Sequence, residues 1–118
     1  MKTTAGILIA AKSALLRRGW YQGDYALTDG DERDGPVCAY GAINVAISGD
    51  PFNYDLDTDK SHRALSLLRK AIGTGMDIPH WNDNELRQPE EILDAFDRAI
   101  ALALADEVLV AVGRQEPS

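Results

Sequence analysis

Few side chains in this 118-residue chain can do covalent or acid–base chemistry: one cysteine, Cys38, and two histidines, His62 and His80. Cys38 falls at the start of an uncharged apolar stretch predicted to be helical, where the positive end of a helix favours a thiolate. A cysteine nucleophile needs a base. His80 supplies an imidazole, with the Asn82 amide and the Asp83 carboxylate close enough in sequence to orient it. Cys38, His80 and Asp83, with Asn82 as the alternative orienter, are therefore the catalytic candidates, and they would make a cysteine-dependent hydrolase or transferase. Against this stands the apolar setting of Cys38, since a lone cysteine commonly behaves as a small core residue. The residues alone commit to no catalytic set.

Metal and cofactor chemistry find less support. Asp55, Asp57 and Asp59 alternate like the opening of a calcium-binding loop, but Lys60 stands at the sixth position where glycine is needed, and Ser66 at the twelfth where a bidentate glutamate is needed. Helix capping by Thr58 or Asp59 accounts for the cluster. Two histidines and one cysteine make no zinc pattern. Gly73-Thr74-Gly75 lacks the third glycine and the preceding strand of a dinucleotide fingerprint, and no Gly-Lys-Ser/Thr occurs. No metal and no cofactor is expected.

Recognition is the remaining possibility. Trp81-Asn82-Asp83 is the most distinctive tripeptide, and Trp20-Tyr21-Gln22 is a second aromatic and amide cluster. Aromatic anchors dominate binding hot spots, so Trp20, Tyr21, Gln22, Trp81, Asn82 and Asp83 form the candidate binding set. The alternative is structural: Trp81 anchors a loop in the core while Asn82 or Asp83 caps a turn.

Charge narrows the partners. The formal net charge is -7, unevenly spread: Lys2, Lys12, Arg17 and Arg18 stand alone before residue 24, and nine acids face only Arg33 and Lys60 between 24 and 60. Nucleic-acid affinity depends on Lys and Arg displacing counterions, so this balance disfavours direct DNA or RNA binding. It suits ordinary solubility, a basic protein partner, or a DNA-mimic that occupies a basic groove. A single cysteine permits no internal disulfide and fits a cytoplasmic setting, and no apolar run approaches the ~20 residues of a membrane span.

Positioning these residues falls to a mainly α chain. With 45% hydrophobic residues, its size fits one domain, expected over residues 1–113 with a flexible tail at 114–118. Thr3 or Thr4 caps a first helix with Ile7, Leu8, Ala11, Ala14 and Leu15 on one face, stopped by a left-handed Gly19. Turn signals at Asp29-Gly30 and Asp34-Gly35 leave room for a small β-hairpin at 21–35. Pro36 then opens a central apolar helix over residues 37–48, ended by Gly49 and rich in small residues that admit close neighbours. A third helix buries Ala64, Leu65, Leu68, Ala71 and Ile72. After a connecting loop, Pro89, Glu90 and Glu91 start the last helix, with Ile92, Phe96, Ala99, Ile100, Ala103 and Leu104 on its inner face. Val108 to Val112 either extends it or forms an edge strand. The expected architecture is a compact bundle of about four helices around residues 37–48.

In order along the chain, Gly19-Trp20-Tyr21-Gln22-Gly23, Gly35-Pro36-Val37-Cys38-Ala39-Tyr40-Gly41-Ala42, Ile78-Pro79-His80-Trp81-Asn82-Asp83 and Glu90-Glu91-Ile92-Leu93-Asp94-Ala95-Phe96-Asp97-Arg98-Ala99 resemble a family of small uncharacterised proteins of actinobacteria and their phages, marked by Trp-Asn-Asp before a C-terminal amphipathic helix. The resemblance spans about residues 4 to 105. It implies a compact helical domain in an actinobacterial or phage setting and brings no activity with it. Together with the residues, it favours a small non-enzymatic protein that binds a protein partner. The apolar faces of the first and last helices leave open pairing with a second copy of the chain.

Overall fold

Thr3 fixes where the first helix begins: its hydroxyl accepts the Gly6 N–H at 3.0 Å, and α1 runs over Thr4–Arg18. In a computed structural model, which describes residues 3–23, 35–51, 59–73 and 77–115, four more helices follow: α2 (Ala39–Ser48), α3 (Asp59–Ile72), α4 (Ile78–Asn82) and α5 (Pro89–Gln115). The expected small helical bundle is what forms. Among the described residues it has five helices, because residues 78–82, expected to be part of a loop, close one short helical turn. Asp77 caps that turn through the His80 N–H at 2.9 Å, with Pro79 tolerated in its first turn.

The core is built from the predicted faces. Ile7, Leu8, Ala11, Ala14 and Leu15 of α1, Ala64, Leu68, Ala71 and Ile72 of α3, and Ile92, Phe96, Ala99 and Ala103 of α5 are all buried. Burying side chains the size of Leu8, Ile43, Leu68, Ile92 and Phe96 stabilises the fold by about 1.5–3 kcal/mol each before conformational entropy is charged. Alanines fill much of the remainder, which lets the helix axes approach closely.

Residues 37–48 differ in two respects from the helix expected there. The helix starts two residues later, because Val37 is drawn into a parallel bridge with Trp20 and Cys38 becomes the N-cap. Pro36 therefore precedes the helix and does not open it. Ala39, Gly41, Ala42, Ile43, Asn44 and Ala46 are buried as expected, but Tyr40, Val45 and Ile47 are only half-buried. α1 and α3 each touch all three of the other long helices, and α2 touches α1, α3 and α4. The most extensive packing of α2 is against α1. Asn44, the one polar side chain buried in α2, donates its amide to the Pro51 carbonyl at 2.8 Å.

Two glycines show why their positions exclude other residues. Gly49 ends α2 in the left-handed region at φ 83°, its N–H bonded to the Val45 carbonyl. Gly19 has φ 93° but ψ 166°, an extended conformation reserved for glycine and not the left-handed turn expected there. That extension carries the chain away from α1 and alongside Val37: Tyr21 N–H donates to the Val37 carbonyl at 2.9 Å, and Val37 N–H to the Gly19 carbonyl at 3.0 Å. This contact is parallel, so it is not the base of a hairpin. Most of the hairpin expected at 21–35 lies outside the described residues, as do the Thr58 cap, Asp55 and Asp57.

At the other end of the sequence, Val108 to Val112 continue α5, which passes Gly113 and ends at Gln115, two residues into the expected tail. Leu104, expected on the inner face, is exposed. With a rise of about 1.5 Å per residue, this helix alone is roughly 40 Å long, and it accounts for the elongated outline of 57 × 28 × 22 Å.

Candidate functional site

The two clusters singled out in the sequence meet at Asn82. Its side chain is completely buried at the end of α4, and each of its four hydrogen-bonding positions is used. Oδ1 accepts the Trp20 indole N–H at 2.7 Å and the Ala39 backbone N–H at 2.9 Å. Nδ2 donates to the Tyr21 carbonyl at 3.0 Å and to Asp83 Oδ1 at 2.9 Å. Ala39 is the first residue of α2, so Asn82 satisfies one of the amides that a helix start leaves without an internal partner. A second one, the Gly41 N–H, goes to Cys38 Sγ at 3.2 Å. The start of α2 is thus capped once from its own chain neighbourhood and once from α4.

The strap after α1 is tied down along its length. Gln22 donates its amide to the Asn82 carbonyl at 3.0 Å and to the Asn84 carbonyl at 2.7 Å, and the Gly23 N–H donates to Asp83 Oδ1 at 2.9 Å. Arg18 Nε reaches the Gly35 carbonyl at 2.8 Å. Beneath this knot Trp81 is buried, with the Arg87 guanidinium 4.2 Å above its ring, a cation–π arrangement. The same arginine donates through Nε to the Trp81 carbonyl at 3.0 Å and through a terminal nitrogen to Glu91 at 2.6 Å. Glu91 also accepts the Gln88 N–H at the start of α5, a half capping box. The Arg87 bond, and after it the Gln88 N–H, hold the Glu91 carboxyl below its ordinary range.

Of the six candidate binding residues, five therefore come together in one hydrogen-bonded knot and Trp81 lies directly under it. The Trp20 indole N–H, the Gln22 amide N–H groups, both polar atoms of Asn82 and Asp83 Oδ1 are bonded to one another and to backbone. Trp81 and Asn82 are both buried in the folded chain. Arg87 and Gln88 belong to the same assembly and were not singled out. The i, i+4 spacing of Arg87 and Glu91 just before a proline-initiated helix was the available signal.

The catalytic candidates are placed differently. Cys38 is 4% exposed and its sulfur lies against the first turn of α2. The His80 side chain is 82% exposed, and its Nδ1 lies 2.7 Å from Asp77 Oδ1. The carboxylate that orients the imidazole is thus Asp77, while Asn82 and Asp83 hold Trp20, Tyr21 and Gly23. The His80 backbone N–H, followed by its ring, keeps the Asp77 carboxyl below its ordinary range. Among the described residues no three His, Cys, Asp or Glu side chains gather as metal ligands, and no helix is long and apolar enough to cross a membrane.

Away from the knot, α1 and α5 run antiparallel. Lys12 pairs with Asp97 at 2.6 Å, and the Ala5 N–H, in the first turn of α1, donates to Glu107 at 3.3 Å. On the outer side of this pair stand the exposed apolar side chains Ile9 and Leu16 of α1 and Leu104 and Val108 of α5.

These features define a class: a small helical bundle whose short fourth helix carries a Trp-Asn-Asp latch that caps a second helix and clamps the strap leaving the first. The chain belongs to a family of unknown function, DUF6197, which it matches over residues 1–102. That span takes in the whole latch and ends inside α5. No curated protein and no solved structure matches the chain.

Proposed function

We propose that this protein works by binding a protein partner and carries out no chemistry of its own. One observation carries this proposal: the apolar strip of Ile9, Leu16, Leu104 and Val108 on the outer side of α1 and α5. Scattered exposed apolar residues are ordinary, but these four lie on two neighbouring helices, α1 and α5. They sit seven apart on α1 and four apart on α5. Support also comes from the chemistry-bearing groups: the Cys38 sulfur and the polar atoms of Asn82 and Asp83 serve the fold. Proteins of this kind, acidic and phage-encoded or actinobacterial as the motif resemblance implies, would act in the cytoplasm.

Affinity capture from an actinobacterial lysate tests it. The wild-type protein is expected to retain a specific protein or further copies of itself, as is Cys38→Ala, whereas Leu104→Asp loses that retention while keeping its helical circular dichroism. Equal retention by wild type and Leu104→Asp would exclude this strip as the binding surface.

One observation favours a second function, cysteine-dependent catalysis: Cys38 Sγ lies at a helix N-terminus and accepts an N–H there, a setting that stabilises a thiolate. A working nucleophile would be alkylated quickly by iodoacetamide in the native protein at neutral pH, and more slowly after His80→Ala. Protection until denaturant is added would remove this alternative.

A further inference from the structure

The charges around the apolar strip say what covers it. No acid occurs in α1, which ends in Arg17 and Arg18, whereas the first half of α5 exposes Glu90, Asp94 and Asp97. Because the Lys12–Asp97 and Ala5–Glu107 contacts set the two helices antiparallel, the basic end of α1 and the acidic end of α5 lie at the same end of the strip. Asp97 and Asp94 already share the cations of Lys12 and Arg98, the latter pair at 2.8 Å, so Glu90 is the carboxylate placed to meet an outside cation at that end. Ile9 is 51% exposed and Leu16 64% on α1, against 46% for Leu104 and 61% for Val108 on α5.

A two-fold axis running along these helices would set α1 of one copy across α5 of another without reversing the strip end to end. Arg17 of each copy then faces Glu90 of the other, and Ile9 faces Leu104 and Val108. A patch with Arg17 on α1, Glu90 on α5 and apolar side chains on both helices is complementary to itself, as an isologous interface requires. We infer that the outer side of α1 and α5 binds a second copy of this chain in a two-fold dimer. This rests on the protein-binding function proposed above and names the partner.

Sedimentation velocity from micromolar to millimolar concentration tests it, with circular dichroism as the folding control. The wild-type protein is expected to reach the dimer, and Leu104→Asp to remain a monomer. Arg17→Glu alone and Glu90→Arg alone each turn two symmetric attractions into repulsions, and each should weaken dimerisation about tenfold. The Arg17→Glu/Glu90→Arg double variant restores opposite charge across the interface and should recover most of that loss. Both reversals also oppose a helix dipole, but the double variant carries the same penalty, so its recovery isolates contact between copies. A wild type that stays monomeric at millimolar concentration overturns the inference. So does a dimer indifferent to Leu104→Asp or unrestored by the double charge swap. If a monomeric wild type still captures a different protein that Leu104→Asp loses, the second copy is refuted and the binding function stands. If no protein of either kind is retained, both fall.

Discussion

Asn82 is the side chain whose loss should cost the fold most for its size. Truncation by Asn82→Ala removes four hydrogen bonds and strands three groups: the Ala39 N–H, the Trp20 indole N–H and the Tyr21 carbonyl. The Ala39 N–H is buried, and leaving it without a partner costs about 1–3 kcal/mol. The Trp20 and Tyr21 groups are partly exposed and can recruit water, so about 0.5–1.5 kcal/mol is lost at each. The expected total is about 2–6 kcal/mol, a large part of the 5–15 kcal/mol typical of a domain. Urea denaturation followed by circular dichroism and tryptophan fluorescence measures it. Asn82→Asp keeps the shape and discriminates the mechanism. At neutral pH it sets a buried carboxylate against the Tyr21 carbonyl and the Asp83 carboxylate, where the amide had donated to both. Burial and the neighbouring acid raise the pKa of the new group, and once protonated it donates one bond back. Its deficit relative to wild type should therefore shrink as pH falls through that raised value, while the Asn82→Ala deficit does not follow the same course. An Asn82→Ala variant within about 1 kcal/mol of wild type, or an Asn82→Asp deficit that ignores pH, would refute the latch as the source of stability.

Other consequences can be checked with the same assay. Arg87→Lys removes the planar stack on Trp81 and the paired bonds to the Trp81 carbonyl and Glu91, and should destabilise by about 1–2 kcal/mol with a shift in tryptophan fluorescence. Cys38→Ser keeps an N-cap acceptor for the Gly41 N–H and should leave stability close to wild type, whereas Cys38→Val loses the cap at a cost of about 1 kcal/mol. Gly19→Ala forces a side chain into a glycine-only conformation and should cost about 1–3 kcal/mol. Asp77 and Glu91 both have carboxyls held below their ordinary range, so their charged forms favour the folded state. That contribution is complete above the usual carboxylate range and fades as pH falls through the lowered values. The stability gap between wild type and an Asp77→Asn/Glu91→Gln variant should accordingly begin to narrow near the ordinary carboxylate range, about pH 4, and shrink further as pH falls.

Much of the bundle could be read from periodicity, because α1, α3 and α5 each bury one stripe over several turns and carry plain stop or start residues such as Gly19 and Pro89. α4 escaped because Ile78-Pro79-His80-Trp81-Asn82 is too short to show a period. Its cap, Asp77, also precedes a proline that reads as a loop signal. The start of α2 was misplaced since proline is a common opener and cysteine a weak acceptor, so Cys38 gave no capping signal. Leu104 fits the inner stripe by spacing, but α5 is apolar on more than one side, and a helix of that kind does not reveal which side faces the core. The composition of the site was visible as two unusual clusters. Their union was not, because Trp20 and Asn82 stand 62 residues apart and only the folded chain brings them together.

That separation also bears on how the chain matures during synthesis. Local bonds can wind α1 and α2 as soon as they emerge, but the Ala39 N–H waits 43 residues for the Asn82 oxygen. Bringing distant ends together costs only logarithmically more with spacing, so the delay is set by translation and not by search. Until residue 82 clears the ribosome, the nascent half has wound coils and no clasp. Products ending before that point lack the acceptor for the Ala39 N–H and should be cut by protease faster than the full chain.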